Sequence, residues 1–255
     1  LSELLEFLER VTAARTIEAV WSELVAVMDR AGFDRLIYGF TRFRTVQSFG
    51  DPDDLLILTN HDCAYTDRFI GERLYANAPM VRWAAENTGA CSWRWIQDHR
   101  DHLTEAELRV AEFNRQMGVV AGYSISFPAQ RQREKGALAL TARPGMTQDE
   151  VDVVWAREGR TLLQMATVAH QKITTLPYTG ARRPLTSRQR EALEWVGDGK
   201  TTQDIATIMG LTAATVEKHL RLAREALDVE TTAQAVLKAS FQNQIFVLSP
   251  ATIRL

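Results

Sequence analysis

Two sets of side chains in this sequence have types and spacing suited to chemistry. The first is aromatic: Tyr65, Phe69, Tyr75, Trp83, Trp93 and Trp95 fall within one short stretch. Tyr65 and Phe69 are four apart and so share a helical face. Tyrosine and tryptophan place a donor at the end of an apolar wall, which is the make-up of a concave small-molecule site. The same rings could equally pack a core, Trp83 and Trp95 above all. The second set is basic. Lys218, Arg221 and Arg224 recur every three residues, opposite an apolar stripe of Val216, Leu220, Ala223 and Leu227. They are expected along one exposed strip, the geometry of a helix that reads the DNA major groove. A plain three- or four-helix bundle with a solvated charged face has the same pattern.

Two further clusters invite an enzyme reading and do not sustain it. Asp98-His99-Arg100-Asp101-His102 looks metal-like, yet it stands directly before a helix cap and has no second group of ligands. His61 and Cys63 share a face of an extended segment without being set up for attack. No catalytic residue, metal site or cofactor is expected.

The elements that must position these residues divide the chain. Leu4 to Val11 and Val20 to Met28 carry helical spacing, and strands are expected at Leu36–Phe40, Leu55–Thr59, Tyr123–Phe127 and Ala137–Thr141. Residues 51–54 read as a turn. Residues 63–73 and 79–87 look helical, with Asn77-Ala78-Pro79 as a break between them. Thr104 with Glu107 opens a helix to about Met117, and Thr147 with Glu150 caps a long one from Val151 to about Lys172. Strands in the middle with helices before, between and after imply a sheet covered on both faces. The stretch 174–184, with two prolines and a glycine, reads as a linker. Beyond it, Thr186, Thr201 or Thr202, and Thr212 cap successive short helices, two of them joined by a glycine-containing turn at Gly210, the helix-turn-helix pattern.

Composition bounds the rest. The 255 residues suffice for two ordinary domains, and 45% hydrophobic with 24% charged is globular. Thirty basic and 32 acidic side chains nearly cancel, so no global basic field announces nucleic acid. No apolar run reaches membrane-span length. Two cysteines suit a reducing compartment. A cytoplasmic protein is expected; the start at Leu1 instead of methionine is read as a trimmed one.

Leu185-Thr186-Ser187-Arg188, Glu191-Ala192-Leu193, Gly199-Lys200-Thr201, Asp204-Ile205-Ala206, Thr215-Val216-Glu217-Lys218-His219-Leu220 and Ala235-Val236 stand in an order that closely resembles the LuxR-type DNA-binding domain. The resemblance runs from Leu185 to about Phe246. It implies a four-helix module whose third helix enters the major groove, two copies binding a two-fold double-stranded DNA site. Carried over, Lys218 and Arg221 fall where the family reads base edges. Glu217 stands where relatives often have a basic residue. Lys200, Thr201, Thr202, Thr215 and Arg224 fall at phosphate-contact positions. Gln189 replaces the family's usual glutamate.

Residues Ala19 to Lys172 resemble the autoinducer-binding domain of the same family, on Tyr65, Phe69, Ala78-Pro79, Trp93 and the strand before Pro128. This implies an α-β-α sandwich with an antiparallel sheet, enclosing an acyl-homoserine lactone. The expected class is therefore α+β, with a small-molecule domain at 1–173, a linker at 174–184 and an all-α helix-turn-helix domain at 185–255. The ligand set implied is His61, Tyr65, Phe69, Ala78 and Trp93. Trp93 matches the family aromatic on the lactone ring, and His61 aligns with a tyrosine that contacts the amide carbonyl. Tyr65 replaces a tryptophan that donates to the lactone carbonyl, and Phe69 a tyrosine. Ala78 occupies the place of the aspartate that accepts the ligand's amide N–H; an unpaired amide there costs roughly 1–3 kcal/mol, about ten- to a hundredfold in affinity. The expectation is a homodimeric, ligand-responsive transcription regulator, sensing a long-chain or aryl lactone or another amphipathic molecule. The alternative is a ligand-independent DNA-binding protein or a heterodimerising antagonist. The long helix ending at the linker is the expected dimer surface.

Overall fold

The computed structural model describes residues 2–44, 52–178 and 184–246. Residues 179–183 of the expected linker and Asp51 of the expected turn lie outside these. The chain divides into two compact units: residues 1–50 with 55–174, and residues 175–255 with 51–54.

The first unit opens with α1 (Ser2–Ala13) and α2 (Ile17–Arg30), the latter capped by Thr16, whose hydroxyl accepts from Ala19 N. Five strands follow: β1 (Phe33–Thr41), β2 (Leu56–Thr59), β3 (Gly89–Ser92), β4 (Gly122–Ser126) and β5 (Lys135–Ala142). They form one sheet in the order β2-β1-β5-β4-β3, every neighbouring pair antiparallel. Between β2 and β3 lie α3 (Cys63–Thr66) and α4 (Pro79–Glu86), and between β3 and β4 lie α5 (Arg94–Asp98) and α6 (Glu105–Gln116). The long α7 (Gln148–Thr175) closes the unit, absorbing Thr174 and Thr175 of the expected linker.

The register sorts the sheet into two unlike faces. Tyr38 pairs with Leu138, Leu36 with Leu140 and Ile125 with Leu138, giving one face of large buried side chains. The alternate positions carry Gly39, Ala137, Ala139 and Ser124, which are small. The large face is fastened to α7 through His170. Its ring stacks on Phe127 at 4.1 Å and its Nδ1 lies 2.8 Å from the Tyr38 hydroxyl. A Cβ at Gly136 would stand 2.5 Å from His170 Cε1, so this close approach requires glycine.

Burial, aided by the Arg42 charge, lowers the His170 pKa from 6.5 to about 4. The unfolded chain therefore binds a proton that the folded chain refuses between these values. Stability is full above pH 6.5 and falls as the pH drops towards 4, by up to roughly 3 kcal/mol. Urea midpoints measured across that window should decline, and His170→Gln should flatten the decline. His61 is shifted in the same direction and leaves a residual slope. A flat wild-type profile would contradict a neutral His170.

Two local readings change. The helix expected over 63–73 stops at Thr66, widens into a π turn over Asp67–Gly71 and ends where Arg73 takes a left-handed conformation. The wide turn sets the Phe69 ring on Tyr65 at 5.0 Å, so ring packing overrides helical regularity. The strand β3 has no apolar alternation and is held by its pairing to β4.

The second unit contains α8 (Ser187–Gly197), α9 (Thr202–Met209), α10 (Ala213–Leu227) and α11 (Thr232–Phe241). Capping boxes at Thr186/Gln189, Thr201/Asp204 and Thr231/Gln234 start three of them. Gly210 ends α9 at φ 65°, the left-handed turn that lets α10 fold back on it. Val216, Leu220, Ala223 and Leu227 are buried as one stripe with Leu193, Ile205 and Ala235.

Candidate functional site

The small-residue face of the sheet leaves space that the opposing layer does not fill. Across from Gly39, Ala137, Ala139 and Ser124 stand aromatic side chains from α3, the π turn and the N-terminus of α5, bordering a cavity of about 510 Å³. That is the size of a small-molecule site. Tyr65, Phe69, Ala78 and Trp93 all line it. His61 does not; it stacks behind Tyr65 at 4.6 Å, with Nε2 3.4 Å from Thr141 Oγ1. Desolvation, helped by Arg35, lowers its pKa to about 4, so the ring is neutral.

The polar tips are few and ordered. Trp93 Nε1 donates to Ser124 Oγ at 3.0 Å, which leaves the serine proton free to point at a ligand oxygen. Tyr65 donates its hydroxyl to Asn114 Oδ1 at 3.0 Å, and burial pushes the phenol's pKa up. Asn114, on α6, also lines the cavity. Ala78 is buried in extended conformation directly before Pro79, the first residue of α4, while Asn77 is exposed. Among the described residues no aspartate or glutamate lines the cavity, whereas Arg115 and Lys135 do.

The Asp98–His102 segment builds nothing comparable. His99 stacks on Trp95 at 4.5 Å and its Nδ1 sits 2.9 Å from the Trp95 carbonyl. Among the described residues no group of three or more His, Cys, Asp or Glu could hold a metal.

In the second unit, Lys218 and Arg221 are exposed on α10, Arg221 pairing with Glu225. Arg224 leaves the strip on which the sequence places it. It donates to Thr232 Oγ1 at 2.8 Å and to Glu217 Oε1 at 3.2 Å. The cause is helical geometry: each step of three residues falls about 60° short of a full turn, so by the second step Arg224 faces α11. Glu217 is therefore a tether for Arg224 as well as an exposed acid. Thr201 caps α9 and donates to Asp204, Thr202 follows it half-buried, and Lys200 is exposed just before. Thr215 Oγ1 lies 2.9 Å from Thr212 Oγ1 at the start of α10.

Residues 16–173 match the family model described as the autoinducer binding domain, and residues 183–239 that of bacterial regulatory proteins of the luxR family. The chain belongs to the LuxR family. It is 30% identical over 179 residues to the quorum sensing-dependent transcriptional regulator RpaR of Rhodopseudomonas palustris, covering 68% of each. The fold is that of Escherichia coli SdiA (TM-score 0.52, 18% identity, 96% of this chain and 99% of that one). It is also that of the Burkholderia cenocepacia factor CepR2 (TM-score 0.51, 18% identity, 68% and 94%). This LuxR-family chain is thus a quorum-sensing transcription regulator with an autoinducer-binding domain, and its curated relatives are regulators and not enzymes. Among the described residues no helix is long and apolar enough to cross a membrane.

Sequence reading missed Asn114 and Ser124 as cavity residues. Their signal appears only once the register sets Ser124 beside Ala139 and α6 brings Asn114 to Tyr65. On the DNA side, Arg221→Ala should lose roughly 1–3 kcal/mol of discrimination at one base position. Binding measured across single-base variants of the site would show this as relaxed preference there; uniform weakening would make Arg221 a phosphate contact.

Proposed function

We propose that the N-terminal domain binds an N-acyl-homoserine lactone or a related amphipathic small molecule and thereby controls DNA binding by residues 185–255 through the segment that joins α7 to α8. The observation that carries this is the cavity of about 510 Å³, lined mostly by apolar side chains, with the Trp93–Ser124 and Tyr65–Asn114 pairs at one end. A lactone ring packs on Trp93, with its carbonyl within reach of the Ser124 hydroxyl. The acyl chain runs over Gly39, Ala137 and Ala139. CepR2 is described as N-acylhomoserine lactone dependent, which favours that chemistry. The loss of the amide acceptor at Ala78 shifts the balance of binding towards chain contacts, hence towards long-chain or aryl ligands. The active form is a cytoplasmic homodimer on a two-fold site of double-stranded DNA, with no cofactor besides the signal.

The coupling is mass action: a ligand that binds only the folded domain stabilises it by about 2.7 kcal/mol at a hundred times its Kd. The test is DNA affinity of the full chain with and without a series of N-acyl-homoserine lactones of increasing chain length. A ligand-dependent change of at least tenfold, largest for long or aryl chains, is expected. DNA affinity unmoved by every compound, in a folded protein, would favour the ligand-independent reading that Ala78 suggests.

A further inference from the structure

The cavity has a second polar end that the lactone reading does not use. Lys135 begins β5 and is only 7% exposed. Its position, two before Ala137 and paired with Thr41 of β1, puts it on the small-residue face, and it lines the cavity. Its ammonium donates to the Asn87 carbonyl at 2.9 Å, its one hydrogen bond among the described residues. That carbonyl already accepts from Ser126 Oγ at 2.7 Å, so the turn after α4 does not depend on the lysine. No carboxylate pairs with Lys135 among the described residues, and the neighbouring Glu134 is committed to Arg42 at 3.9 Å. Burial, aided by the positive Arg44, weakens the ammonium's hold on its proton. A buried cation with donors to spare is costly unless something supplies the missing oxygen.

We propose that Lys135 is a second recognition point, which takes a carboxylate at the end of the ligand remote from Trp93. Four to six strand residues separate Lys135 from Ala139 and Thr141, roughly 13–20 Å, so one elongated molecule reaches both ends. The preferred signal is therefore an amphiphile with a neutral polar head at Trp93–Ser124, an apolar middle, and an anionic oxygen at Lys135. The absence of aspartate and glutamate from the described lining suits that charge. This deepens the small-molecule reading and rests on it, but it does not rest on the head being a lactone.

Two probe pairs, read by tryptophan fluorescence of the full chain, separate the claims. The first is N-dodecanoyl-homoserine lactone and the same molecule with a carboxylate in place of its terminal methyl. The second is dodecanoate and methyl dodecanoate. The carboxylate member of each pair should bind wild type at least tenfold tighter. Lys135→Met should abolish or invert the preference, and Lys135→Arg should keep it. Should the methionine variant misfold, the arginine variant and the wild-type ratios still decide. Lactones that bind with no preference for the carboxylate would overturn the Lys135 assignment and leave the lactone reading standing. Binding of dodecanoate alone, dependent on Lys135, would uphold the assignment and remove the lactone. No binding by any probe would overturn both.

Discussion

Ala139→Trp should lower the affinity of the N-terminal domain for its ligand by more than a hundredfold. Ala139 sits mid-strand on β5, faces the cavity and packs against the cluster of Tyr65, Phe69, Trp93 and Phe113. An indole there occupies the volume the acyl chain needs. A loss of a hundredfold is about 2.7 kcal/mol, which is modest beside the apolar area a buried chain contributes. The ring enters existing space, so the overpacking penalty is expected at the low end of the usual 1–3 kcal/mol. Calorimetric titration against the lactone series, with circular dichroism to confirm the fold, checks this. Unchanged affinity in a folded variant would place the ligand elsewhere.

The opposite change is expected from Ala78→Asp. Ala78 is buried and lines the cavity, and the family resemblance puts it in place of the aspartate that accepts a ligand amide N–H. Supplying that acceptor should raise affinity for N-acyl-homoserine lactones about ten- to a hundredfold, the inverse of leaving a buried amide unpaired. The new carboxylate has a cost without ligand, because burial disfavours its charge. The ligand-free variant should therefore melt below wild type, and saturating lactone should raise its Tm by more than it raises that of wild type. A variant that binds lactones no better, or worse, would mean that the ligand presents no amide to this position.

What could be read from the sequence was local. The capping box of α8 depends on residues three apart, so Thr186/Gln189 announced its helix without help from the rest of the chain, whereas the choice between Thr201 and Thr202 as the cap of α9 was settled only by the Thr201/Asp204 box. The apolar stripe of α10 was equally plain, and with it the exposed Lys218 and Arg221. The place of Arg224 was not, because a repeat of three drifts around a helix and its partners, Thr232 and Glu217, are seven or eight residues away. The aromatic wall of the cavity could be inferred from Tyr65, Phe69 and Trp93. Its floor could not: Gly39, Ala137 and Ala139 carry no signal until antiparallel register sets them side by side. The same holds for Lys135, which lies two residues before the strand expected from the sequence, and for His61, which the family resemblance makes a ligand contact yet which lies behind Tyr65. The strand β3, Gly-Ala-Cys-Ser, was invisible because its pairing to β4, and not its own pattern, makes it a strand.

The central claim is that this regulator holds a small molecule in its N-terminal domain, and native mass spectrometry tests it most directly. The full chain, purified from its own host, would be weighed intact and then extracted under denaturing conditions. The expected result is one retained amphipathic molecule per chain, lost from the Ala139→Trp variant. An empty, folded protein that still shifts DNA would contradict the account and make the cavity incidental to its function.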